Sequence, residues 1–235
     1  MPRKNIYVTL CLIALLSASA HACYIYSGSL TSGGGLIGTE QWASNASLSW
    51  TVSEQTGNTW LYEYRLQVPA KDISHIILET SPTFTPADAS GFRWSNDGCH
   101  WTDYTVTSDD VKLQQISQGN NGMPSAMYGL KFDTLTDSYS LYWQFSSGRS
   151  PVWGDFYARD GKNDGQYVYL YNSGFTAADP TNPPANGSLN GHLLVPDTVP
   201  EPLTMAMLVV AGLGLLARPR AQPKAQRTKN VQNVE

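Results

Sequence analysis

The sequence predicts an all-β fold, an antiparallel β-sandwich of jelly-roll or immunoglobulin-like type. Three observations predict it. Stretches of period-2 alternation recur through the middle of the chain. Clusters of Gly, Pro, Asn, Asp and Ser separate them. No window outside the two termini shows a convincing 3.6-residue period, which argues against alternating helices.

The elements follow in order. Residues 1–22 read as a signal peptide: Arg3 and Lys4, then the apolar run 6–16, then Ala18-Ser19-Ala20 and Ala20-His21-Ala22, both of A-x-A form. Cleavage is expected after Ala22, with Ala20 as the second choice. Residues 23–174 form the predicted ectodomain. In "TWLYEYRLQV", Trp60, Tyr62, Tyr64, Leu66 and Val68 share one face while Glu63, Arg65 and Gln67 share the other. "SLSWTVS", "ISHIILET", "HWTDYTVTS", "YGLKFDTL", "YSLYWQFSS", "VWGDFYARD" and "QYVYLYNS" are further strands, rich in β-branched and aromatic residues. "SEQTGN", "SPTFTPADASG", "QGNNGMPSA", "SSGRSP" and "DGKNDG" are the turns between them. "DDVKLQQISQ", residues 109–118, is read as a turn or two of helix. Residues 175–198 read as a Pro/Asn/Gly-rich surface loop or linker, in which "HLLVPD" forms an edge strand.

Loss of the signal removes Cys11 and leaves Cys23 and Cys99. An even pair in an oxidising compartment predicts a Cys23–Cys99 disulfide. Its loop would constrain the unfolded chain by roughly 4–5 kcal/mol. Lipid attachment at Cys23 is the rival, although Ala20-His21-Ala22 matches a lipoprotein motif poorly. Between residues 23 and 202, eight basic residues face eighteen acids, a net charge of −10. An acidic body argues against nucleic acid as a partner, because phosphate contacts need clustered Lys and Arg.

Gly33, Gly35 and Gly38 satisfy G-x-G-x-x-G with Glu54 downstream, but no helical face follows to receive a pyrophosphate. The stretch reads as a glycine-rich turn. Asp160, Asp164 and Gly165 match part of a calcium loop, yet Lys162 stands where a ligand belongs and no bidentate Glu follows. His75, His100 and His192 lack ligand spacing, so no metal site is expected. There is no G-x-S-x-G elbow and no evident carboxylate couple, so no catalytic residue or cofactor site is assigned. The aromatic stripes Trp60-Tyr62-Tyr64 and Tyr167-Tyr169-Tyr171 read as core before they read as sugar platforms. Trp94, Trp101 and Trp153 sit in or beside turns and are the candidates for stacking on a sugar ring. Asn45 and Asn186 head N-x-S sequons, a weak signal alone.

The C-terminal segment "VPEPLTMAMLVVAGLGLLARPR" carries the most specific pattern. Residues 203–217 are apolar or small with only Thr204 polar, short of the ~20 residues normally needed to cross a bilayer. Pro202 can open a helix, and Arg218 and Arg220 stop translocation on the cytoplasmic side. A short transmembrane helix over 203–217 with a basic cytoplasmic tail over 221–235 is expected. Val199-Pro200-Glu201-Pro202, the apolar run and the arginines together resemble the PEP-CTERM sorting signal of Gram-negative bacteria, over residues 199–220. The resemblance implies recognition by an exosortase after signal peptidase has acted. It also implies a membrane-anchored precursor that is passed to the cell surface or an extracellular polysaccharide matrix. The tail after Arg220 is longer than such signals usually carry. The sequence thus predicts a non-enzymatic envelope or matrix protein, with a carbohydrate-binding module as the alternative and a secreted hydrolase behind both.

Overall fold

The computed structural model describes residues 23–133 and 138–196. The signal peptide, the PEP-like motif with its arginines, the helix 203–217 and the basic tail all lie outside the described residues. Among the described residues no helix is long and apolar enough to cross a membrane.

The described chain is all-β. Its strands are β1 (Ile25–Ser32), β2 (Gly35–Gly38), β3 (Ser47–Gln55), β4 (Thr59–Gln67), β5 (His75–Glu79), β6 (Ser90–Ser95) and β7 (Thr102–Asp103). They continue with β8 (Val111–Gln114), β9 (Met127–Asp133), β10 (Ser140–Ser147), β11 (Pro151–Gly154), β12 (Phe156–Asn163), β13 (Gln166–Asn172) and β14 (Leu193–Pro196). Twelve of them make one sheet in the order β7-β6-β10-β4-β3-β1-β2-β13-β12-β5-β9-β8, and β11 pairs with β14 separately. All pairings are antiparallel except β1 with β2.

The large sheet curls until its two halves face each other. Phe92 and Trp94 on β6 lie 5.1 and 5.9 Å from Phe132 on β9, although β6 and β9 stand near opposite ends of the strand order. Trp143 on β10 likewise stacks 6.4 Å from Phe156 on β12. Burial of these large rings between the halves supplies the main driving force, since each fully buried aromatic removes 150–250 Å2 from water. Phe132, Phe145, Phe156, Leu48, Val52, Tyr62 and Leu66 have no exposed surface.

The glycine-rich stretch forms the corner of this curl. Thr31 and Gly34 exchange backbone hydrogen bonds around Gly33, which has φ +80°, a left-handed conformation that favours glycine. The chain then re-emerges as β2, whose start pairs with the end of β1 and whose end pairs with β13. A Cβ at Gly38 would overlap the Trp42 carbonyl. The turn reading therefore holds for Gly33 and Gly34, while Gly35 to Gly38 are a strand that joins the two halves.

Residues 109–118 are not helical: Val111–Gln114 is β8, paired with β9, and a single 3-10 turn follows over Ile116–Gln118. Leu130 on β9 faces Val111, so tertiary pairing outweighs local preference there. "VWGDFYARD" divides at Asp155 into β11 and β12. "DGKNDG" is the β12–β13 hairpin, with Asp164 and Gly165 both at positive φ, as a two-residue primed turn requires. The segment from residue 175 packs into the domain. Leu193, Leu194 and Val195 are fully buried in the main core, and the loop before them covers the free edge of β1 through Asn186 and Gly187 to Ser27.

Candidate functional site

Alternation along adjacent strands sends one set of side chains inward and lays the other set out in rows. Inward point Leu48, Trp50 and Val52 of β3, Tyr62, Tyr64 and Leu66 of β4, and Leu141, Trp143 and Phe145 of β10, all buried. The register defines the outward rows. Arg93, Gln144, Glu63, Thr51 and Ser27 stand side by side, one from each of β6, β10, β4, β3 and β1. Two residues along, Ser95, Tyr142, Arg65, Ser49 and Ser29 form the next row. Over these rows lies an open cleft of about 540 Å3, lined by Ser29, Thr51, Glu63, Arg65, Tyr142 and Trp101 among others.

Two aromatic rings of this cleft, Tyr142 and Trp101, are each held by an arginine. Arg65 lies 5.0 Å from the Tyr142 ring centre and donates from Nη2 to Gln67 Oε1 at 3.0 Å. Arg93 lies 4.9 Å from the Trp101 ring centre. With the Gln144 amide oxygen turned toward Arg93, Arg93 Nε and Nη2 donate to it at 3.0 and 2.9 Å. Such stacks fix ring orientation at modest energy, about 0.5–1 kcal/mol at exposed sites. The loop that presents Trp101 is built on Asp97. Its Oδ1 accepts from the Cys99 and His100 backbone N–H groups at 2.8 Å, and its Oδ2 lies 2.7 Å from His100 Nδ1. These donors, the His100 N–H first, hold the Asp97 carboxyl well below the usual carboxylate range.

Of the three tryptophans proposed for sugar stacking, Trp101 alone lines this face. Trp94 is buried at 5 % exposure against Phe132, because it occupies the inward phase of β6. Trp153 is buried at 3 %, opposite Leu194 in the β11–β14 pair, and only borders a separate cleft of about 280 Å3. Tyr142, Arg65, Arg93, Glu63 and Gln144 were not singled out from the sequence. The alternation that hid them as the polar phase of strands is the signal that could have found them, once the strand order was known. Of the two stripes read as core, Tyr62 and Tyr64 are core. Tyr167, Tyr169 and Tyr171 are half-buried on the face opposite Val168 and Leu170.

The expected Cys23–Cys99 disulfide is not formed; both cysteines are unbridged and exposed. Cys23 Sγ donates to the Glu54 carbonyl at 3.2 Å, beside the β3–β4 hairpin. Cys99 follows β6 beyond Ser95, four strands away and toward the opposite strand ends. With strands ~4.8 Å apart, four spacings alone give about 19 Å, far beyond the ~7 Å that a disulfide can bridge between Cα atoms.

A second constellation, in which Asp155 and His192 are buried and Asp179 is exposed, was missed altogether. Asp155 sits at the β11–β12 junction, Asp179 in the long loop and His192 just before β14. Their ligating atoms all lie within 4.8 Å of one another. His192 Nε2 is 3.7 Å from Asp155 Oδ1 and 3.5 Å from Asp179 Oδ1. Asp155 Oδ1 accepts from Asn172 Nδ2 at 2.7 Å, and Asn172 Oδ1 accepts from the Phe156 N–H at 2.8 Å. Glu79 Oε2 accepts from the Asp155 N–H at 2.7 Å. Burial raises the Glu79 carboxyl to about 8, with the charges of Asp179 and Asp155 acting in the same direction. Burial also raises Asp155 and Asp179. No spacing rule could reveal this group, since its members come from three separate segments. No family model, characterised protein or solved structure matches the chain.

Proposed function

We propose that this chain is an exported cell-surface or matrix protein whose β domain binds carbohydrate through the outward polar–aromatic face of β1, β3, β4, β10 and β6. The observation that carries this reading is the pair of arginine-held rings, Tyr142 and Trp101, beside aligned polar residues. A sugar ring offers an apolar face for stacking and hydroxyls at its edge. Tyr142 and Trp101 suit the first, while Glu63, Arg65, Thr51, Ser27, Ser29 and Ser49 suit the second. The curled sheet, with its halves packed face to face, fits the sandwich-like architecture that the sequence suggests. An extended polymer suits an open cleft of this kind better than a small ligand does.

Export and sorting rest on the two ends of the sequence. Signal peptidase removes residues 1–22, and an exosortase acts near Val199-Pro200-Glu201-Pro202. Mass spectrometry of the protein recovered from the host surface tests this. A mature C-terminus near Pro202 supports it, whereas an intact peptide containing Arg218 argues for a permanent anchor. The role is adhesive rather than catalytic. Asp155, Asp179 and His192 do converge, as a hydrolase would require, but neither cleft is lined by them and His192 is fully buried. Binding of the wild-type domain to the host's own polysaccharide, with loss on Trp101→Ala, tests the carbohydrate reading.

A further inference from the structure

The cluster of Asp155, Asp179 and His192 lies outside the face assigned to carbohydrate, and its three donor atoms all lie within 4.8 Å of one another. His192 has no exposed side-chain surface. Its Nδ1 stands 3.2 Å from the Leu189 carbonyl, which can only accept, so Nδ1 carries the proton and donates. Nε2 then points at the two carboxylates and has no hydrogen-bond partner. A buried ring nitrogen aimed between two carboxylate oxygens, too far for hydrogen bonds to either, leaves space for something between them.

We propose that Asp155, Asp179 and His192 bind a divalent transition-metal ion of the zinc type, with Nε2 and one oxygen of each carboxylate as ligands. Three features support it. A cation about 2.1 Å from each donor at tetrahedral angles sets neighbouring donors roughly 3.4 Å apart. The observed separations from Nε2 are 3.5 and 3.7 Å. The surrounding contacts are those that orient metal ligands: Leu189 O holds the His192 tautomer, and Asn172 fixes Asp155 while its own oxygen is held by Phe156 N–H. A Cβ at Gly174 would press on the His192 ring, so glycine there permits the ring's position. The mixed nitrogen and oxygen donors favour zinc-like ions over calcium, which prefers oxygen alone. Asp179, with 42 % of its side chain exposed, is the side from which an ion would enter. Glu79 is the next carboxylate at hand, and water can fill a remaining position. Such an ion would tie the long loop and β14 to the β11–β12 junction.

The test uses the full-length chain, stripped with EDTA and titrated with zinc chloride alone, then with calcium chloride, in a calorimeter. The expected result is one equivalent of zinc per chain, bound at least tenfold tighter than calcium, and weakened tenfold or more by Asp179→Asn. Asp179→Asn is preferred to His192→Gln because Asp179 is partly exposed, and near-UV circular dichroism checks that the variant keeps its fold. Absence of zinc binding by the folded wild type would overturn the proposal, as would tighter binding of calcium. So would equal zinc binding by folded Asp179→Asn, which would place the ion at other residues such as Cys23, Cys99 or His100. None of these outcomes depends on carbohydrate binding.

Discussion

Arg93 lies 4.9 Å from the centre of the Trp101 ring and presents two N–H groups to Gln144 on the neighbouring strand. One side chain therefore couples a loop aromatic to the polar rows of the sheet. Replacing Arg93 by Met keeps length and apolar bulk but removes the charge and its fork of donors. Polysaccharide affinity is expected to fall about two- to tenfold, given ~0.5–1 kcal/mol for an exposed cation–π contact plus lost orientation. Affinity electrophoresis against the host polysaccharide measures this, and unchanged mobility would separate Trp101 from Arg93.

The two halves of the curled sheet are held by aromatic packing, with Phe132 at the centre. It has no exposed surface and lies 4.9 to 5.9 Å, centre to centre, from Tyr104, Phe92 and Trp94. Phe132→Ala removes the transfer energy of the ring and leaves a cavity, at a cost of about 3–5 kcal/mol. Urea unfolding of the two proteins reads the difference directly. A loss below about 1 kcal/mol would mean that the halves do not depend on this contact.

His75 on β5 supplies a pH dependence. Burial, then the positive charges of Lys131 and Arg159, lower its pKa to about 3, while the unfolded value is 6.5. Asp133 lies 3.9 Å from Nδ1, but its side chain is 68 % exposed, so solvent screens its opposing pull. Tyr157 and Asn120 complete the surroundings. The unfolded chain takes up this proton first as pH falls. The contribution of His75 to stability is therefore complete above pH 6.5 and lost progressively toward pH 3. At pH 4 the loss is on the order of 3 kcal/mol. Melting temperatures from pH 7 to pH 4 should fall more steeply for the wild type than for His75→Gln, and parallel curves would remove His75 as the cause.

Cys23 and Cys99 stand four strand spacings apart, so each should behave as a free thiol. A non-reducing digest is expected to release the two cysteine peptides separately. A crosslinked Cys23–Cys99 peptide would require a different strand order.

The strands carrying strict alternation were legible in the sequence, β3, β4, β10 and β13 above all, because one buried face imposes period 2. The hairpin turns at Gly57-Asn58 and Asp164-Gly165 were legible for a related reason: they adopt positive φ, which restricts residue choice. The short pairings were not. β2 and β8 have four residues each, too few for a period, and they exist through their partners; β14, equally short, was foreseen as an edge strand in "HLLVPD", but not its pairing with β11 or its burial in the core. Strand order was equally hidden, and both sites depend on it. Arg93 and Ser27 share a row only because β6, β10, β4, β3 and β1 are neighbours, and Asp155 meets His192 only because the long loop returns to the β11–β12 junction. Trp94 and Trp153 misled because a tryptophan beside a turn can occupy either phase of a strand.

The carbohydrate-binding face is the central claim, and the double variant Trp101→Ala/Tyr142→Ala tests it most directly. Both side chains are only half-buried, so the fold and melting temperature should stay close to those of the wild type. Isothermal titration with the host's exported polysaccharide should give measurable binding for the wild type and at least a hundredfold loss for the double variant, two stacking contacts of about 1.5 kcal/mol each being removed. Equal affinity of the two proteins, or no binding by the folded wild type, would contradict the account.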